Sequence, residues 1–64
     1  MSMYETELIG KRIRINHMDD IQPVPDGTEG IITGIDGIGQ IQVKWDNGST
    51  LSIIPEEDDY DILN

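Results

Sequence analysis

Gln40-Ile41-Gln42-Val43-Lys44-Trp45-Asp46-Asn47-Gly48-Ser49-Thr50-Leu51-Ser52-Ile53 is the stretch that decides how this chain folds. In its first half Ile41, Val43 and Trp45 fall on one side, while Gln42 and Lys44 fall on the other. Strict alternation of this kind marks a strand with one face in a core. Thr50-Leu51-Ser52-Ile53 alternates again, and Asp46-Asn47-Gly48-Ser49 lies between the two segments. Asn-Gly is the pair that best tolerates the two positive φ angles of a type I′ turn. The stretch therefore predicts a tight hairpin with Asn47 and Gly48 both at positive φ, and with Trp45 in the core.

Working outward, Arg12-Ile13-Arg14-Ile15-Asn16 alternates with Ile13 and Ile15 inward, and Thr28 to Asp36 forms a longer β segment. Ile32 and Ile35 can share a face there only if one residue is inserted between them, and Gly34 suits the β-bulge that does this and bends the strand. Asp36-Gly37-Ile38-Gly39 is a short turn. Pro55-Glu56-Glu57-Asp58 reads as one 3₁₀ turn before a last strand, Tyr60 to Leu63, with Tyr60 and Ile62 inward. His17 to Gly27 holds Pro23, Pro25 and Gly27 without apolar periodicity, so it is a long loop with defined bends. Ser2 to Leu8 adds a helical turn capped by Ser2 and Glu5.

This order predicts an all-β, five-stranded SH3-like small barrel. It has one long loop after the first strand, a one-turn 3₁₀ helix before the last, and first and last strands paired. Residues 1–9 are an N-terminal extension and residues 10–64 the barrel domain. Ile13, Ile15, Ile32, Ile41, Val43, Leu51, Ile53 and Ile62 should form one core.

A chain of 64 residues without cysteine buries only about 60% of the surface its unfolded form exposes, and it has no disulfide or thiolate metal site to help. Thirteen acids against four bases give a formal charge of -9. Such a field repels phosphate backbones, and the Lys and Arg needed for counterion release are scarce, so nucleic-acid binding is not expected. No apolar run approaches a membrane span and no basic export signal opens the chain, which predicts a soluble, cytoplasmic protein without membrane contact. A monomer is expected.

From Gly10 onward the sequence resembles a small bacterial family, domain-of-unknown-function family 4314. The resemblance is carried by Gly10-Lys11-Arg12-Ile13, Met18-Asp19-Asp20, Pro25-Asp26-Gly27-Thr28-Glu29-Gly30, Ile38-Gly39-Gln40-Ile41 and Val43 to Leu51. Ile21 and Asp26 stand where the family pattern has proline. The resemblance implies an SH3-like barrel and no assigned activity.

The chemical candidates are thin. His17 near Asp19 and Asp20 has neither a second histidine nor a cysteine to complete a metal set. Glu56 to Asp61 lacks the ligand spacing of a calcium loop and reads as a solvated acidic end, with Asp59 and Asp61 outward and across from Arg12 and Arg14. No serine sits in a nucleophile setting and the glycines precede no helix that could hold a phosphate. Neither catalysis nor a cofactor is expected. What remains is a small interaction module for a protein partner with a basic surface; an acidic mimic of nucleic acid that inhibits a nucleic-acid-binding protein is the alternative. The binding surface is placed on the long loop and the facing turn, with Met18, Ile21 and Val24 as apolar contacts beside Asp19, Asp20 and Asp36. Met18 and Val24 compete for a second role, folding back to plug the open end of the barrel.

Overall fold

The computed structural model describes residues 7–63. Four strands, β1 (Arg12–His17), β2 (Glu29–Ile35), β3 (Ile41–Trp45) and β4 (Asp59–Ile62), form one antiparallel sheet in the order β3-β2-β1-β4. The first strand pairs with the last, Ile13 opposite Ile62 and Ile15 opposite Tyr60. β2 carries the expected irregularity: Ile32 faces Val43 but Gly34 faces Gln42, so one residue is inserted and Ile35 turns back to pack on the core.

The fifth strand does not form, and the sheet is not closed into a barrel. Segment 49–53 follows β3, but among the described residues it is bonded to β3 only at its two ends, by the Trp45 N–H to the Ser49 carbonyl at 3.0 Å and by Ile41 and Ile53, which exchange backbone hydrogen bonds at 2.9 and 2.8 Å. The cause is Trp45. Its buried indole N–H needs an acceptor and takes the carbonyl of Leu51 at 2.8 Å, while the Leu51 N–H turns to the Ser49 hydroxyl at 3.3 Å. Leu51 thereby stays opposite Val43 without bonding to it, and sits 37% exposed instead of in the core. Ile62, also expected inside, is 36% exposed because β4 is the sheet's edge and has a strand on one side only.

The core consists of Ile13, Ile15, Met18, Val24, Ile32, Ile41, Val43, Trp45 and Ile53, with Leu8, Ile35 and Tyr60 packed against it. Met18 and Val24 thus fill it from the long loop, and the Val24 N–H lies 3.5 Å from the Met18 sulfur. β2 crosses β3 so closely that a Cβ on Gly30 would stand 2.6 Å from the Lys44 carbonyl oxygen. Only glycine fits there.

Two turns differ from expectation. Asn47 does not have positive φ; among the described residues only glycines do, Gly48 at 90°. The Gly48 N–H donates to the Trp45 carbonyl at 3.0 Å and the Trp45 N–H to the Ser49 carbonyl at 3.0 Å. This is a type I turn closed by a glycine bulge, the three-residue alternative to type I′. The Asn47 carboxamide oxygen accepts from the Ser49 N–H at 2.9 Å, which favours this form. At residues 55–57 the expected 3₁₀ helix is a single hydrogen-bonded turn, because the Glu57 and Asp58 N–H groups converge on one carbonyl, that of Ile54. The cap assigned to Ser2 and Glu5 lies outside the described residues.

Candidate functional site

Three loops are linked through the 54–58 turn and together form the loop end, and one carboxylate joins two of them. Asp58, 8% exposed, accepts from the Ile54 N–H at 2.8 Å with one oxygen and from the Asp19 N–H at 2.9 Å with the other. The first bond closes the 54–58 turn on itself; the second fastens the start of the long loop to it. The third loop, residues 36–40, is shaped by Asp36, whose carboxylate accepts from the Ile38 and Gln40 N–H groups at 3.1 and 2.9 Å. Gly39 supplies positive φ there, so this turn repeats the glycine-bulge geometry of the 45–49 hairpin. Because Ile53 bridges Ile41, the 54–58 turn lies against the 36–40 turn. A cleft of about 220 Å³ between them is lined by Ile38, Gly39, Gln40, Ile54, Pro55 and Glu56.

The far side of the long loop is fixed by a second turn. The Thr28 N–H and hydroxyl both donate to the Pro25 carbonyl, at 3.1 and 2.7 Å, with Gly27 at a φ of 88°. That is a type II turn, which demands positive φ at its third position.

Of the residues placed in the site from sequence, Ile21 is 97% exposed and Asp19 and Asp20 are also exposed. Asp36 is half-buried and spends its carboxylate on its own turn. Met18 and Val24 are core, so they support the loop from beneath and offer no contact to a partner. Sequence reasoning missed Ile38, which is 80% exposed beside the cleft, and it read Asp58 as solvated. No local signal marks Asp58, because Ile54 and Asp19, which supply its donors, carry no motif in the sequence.

Charge is segregated. Asp19, Asp20 and Asp26 lie on the long loop, Glu56 and Glu57 on the 54–58 turn and Asp59 just after it, and none of the three loops carries a Lys or Arg. The two arginines are spent on the outer face of the sheet. Arg12 reaches Asp46 at 2.8 Å and Glu29 at 3.1 Å; Arg14 reaches Asp61 at 3.1 Å. Arg12 therefore does not lie against Asp59 as the alternation had suggested; that position is opposite His17. The Arg12 hydrogen bonds hold the Asp46 carboxyl below its ordinary pKa, and Asn16 followed by Arg14 does the same for Asp61. The Arg12 guanidinium is raised in turn, by Asp46 first and then Glu29. His17 stands 3.6 Å from Asp26, with both side chains largely exposed. Among the described residues no three His, Cys, Asp or Glu side chains gather as a metal site, and no helix is long and apolar enough to cross a membrane.

The family model described as Domain of unknown function (DUF4314) matches residues 4–63. The chain belongs to the DUF4314 family. The match takes in all four strands and both turns of the cleft, so the candidate site lies within the DUF4314 domain itself. Neither a curated protein nor a solved structure matches the chain.

Proposed function

We propose that the protein is a small, non-enzymatic interaction module of SH3-like type that binds a basic segment of a protein partner at its loop end. The order of strand, long loop, strand, short turn, strand, hairpin, turn and strand supports the SH3-like reading, as does the pairing of β1 with β4. The observation that carries the function is the cleft: exposed Ile38 with Ile54 and Pro55 gives an apolar centre, Glu56 is the one charged residue on its lining, and Asp19 and Asp20 stand on the long loop that Asp58 ties to the same turn. Interfaces combine a desolvated centre with a polar rim, and the sign of the rim selects the partner. The module works as a monomer in the cytoplasm and without a cofactor.

The test starts from proteins crosslinked to the tagged chain in cells. With the isolated partner, Asp19→Asn/Asp20→Asn should slow association and flatten its salt dependence, while Ile38→Ser should speed dissociation. Urea midpoints of both variants should match the parent. Unchanged kinetics in both would remove the loop end as the binding surface.

A further inference from the structure

A second concave surface lies outside the loop end, on β3. By alternation the backbone of Lys44 faces β2, since Lys44 pairs with Ile31 and the Asp46 N–H donates to the Glu29 carbonyl at 2.9 Å. Val43 therefore points its N–H and C=O the other way, toward segment 49–53. On either side of it that edge is closed, by Trp45 to Ser49 and by Ile41 to Ile53. The residue that should face Val43 is Leu51, and both of its backbone groups are taken, the carbonyl by the Trp45 indole and the N–H by the Ser49 hydroxyl. Val43 is 2% exposed, and among the described residues neither its N–H nor its C=O bonds to segment 49–53, the side to which the alternation turns them. A buried backbone pair left open is uncommon enough to require an explanation.

The opening coincides with a groove of about 410 Å³ lined by Thr33, Gln42, Val43, Lys44, Gly48, Thr50 and Ser52. In a chain with thirteen acids, none lines this groove, and one of the four bases does. Lys44 makes no ion pair among the described residues. The local sign is thus opposite to that of the molecule.

We propose that this groove binds the carboxylate of an N-acylated amino acid, replacing the pairing that Leu51 does not make. Such a group carries one N–H next to one carboxylate. The N–H donates to the Val43 carbonyl and a carboxylate oxygen accepts from the Val43 N–H, which is the exchange of an antiparallel residue pair. The ammonium of Lys44 and the hydroxyls of Thr50 and Ser52 supply charge and further donors for the second oxygen. Free small acylated amino acids and the C-terminus of a polypeptide share this chemistry. The site is independent of the loop end and of the reading given for it.

The experiment is a titration of the ¹⁵N-labelled protein at constant ionic strength with N-acetylglycine, N-acetylglycinamide, sodium acetate and a pentapeptide with a free C-terminus. Saturable shifts at the Val43 and Lys44 amides are expected with N-acetylglycine, at an affinity about tenfold above that of the neutral amide or acetate. Lys44→Gln, a change at an exposed side chain, should abolish the preference for carboxylate over amide. A pentapeptide that binds about tenfold tighter than N-acetylglycine assigns the site to polypeptide termini, and equal affinity assigns it to free small acids. Equal small shifts with every compound would overturn the proposal. So would amide exchange at Val43 as slow as at Ile41 and Trp45 in the free protein, since the gap would then be closed in solution.

Discussion

Gly48 and Gly30 are both needed as glycine, for opposite reasons, and substitution separates the two. At Gly48 a Cβ would meet nothing within 4 Å, but φ is 90°. Gly48→Val should cost about 1–2 kcal/mol through backbone strain alone. At Gly30 the backbone is ordinary and the space is missing, so Gly30→Ala should cost about 1–3 kcal/mol through overpacking of β2 on β3. Urea midpoints measure both, and a neutral Gly30→Ala would mean the strands are further apart than described. Asp58 makes a sharper case. Asp58→Ala leaves the Ile54 and Asp19 N–H groups without their acceptor, at about 1–3 kcal/mol for each donor that stays buried, whereas Asp58→Asn keeps one acceptor oxygen and should lose less. Equal losses in the two variants would show that the carboxylate does not bridge the loops. At this scale the sequence was legible where a residue answers to its own neighbours, as Trp45 does through its phase with Ile41 and Val43. It was not legible where a distant group decides. Asp58 is buried because Asp19, far along the chain, supplies its partner, whereas at Asn47 two local turn forms compete and the side-chain bond to the Ser49 N–H accompanies the one with negative φ.

Among the elements, β2 was the most readable, since the bulge follows from the phase conflict between Ile32 and Ile35 and needs nothing from outside the strand. The missing strand at 49–53 could not be read. Its alternation is intact, and what breaks it is one side-chain bond, from the Trp45 indole to Leu51, which competes with the backbone ladder. β1 and β4 are joined by backbone pairing and also by Arg14 and Asn16 on Asp61, at 3.1 and 3.0 Å. Because the folded Asp61 carboxyl titrates below its unfolded value, its contribution is present above the unfolded pKa and is lost as pH falls through the folded one. Asp61→Asn should therefore lower the urea midpoint at about pH 7, and the difference from the parent should vanish by about pH 2. A difference that persists in acid would assign the effect to packing at the sheet edge and not to the charge.

For the molecule as a whole, the surplus of acids acts against compactness while the arginine contacts with Asp46, Glu29 and Asp61 act for it. These arginine pairs are exposed and worth little individually, so self-repulsion should dominate. Added salt shortens the Debye length to about 3 Å near 1 M and should raise Tm by a few degrees. A fall in Tm would mean the outer ion pairs matter more than net charge. The all-β class and the pairing of first strand with last were visible in the order of turns and strands, the open four-stranded sheet was not, and neither was the groove at Val43, because it exists only through what Leu51 fails to do. The pairing of the first strand with the last has a consequence in time. Arg14 and its partner Asp61 are 47 positions apart, and at about 5–20 residues per second the ribosome makes β1 seconds before it makes β4. Throughout that interval Ile13 and Ile15 have no neighbour on one side. A nascent chain with so many acids repels its own copies during the wait, and the same charge that loosens the finished molecule shields it while it is being made.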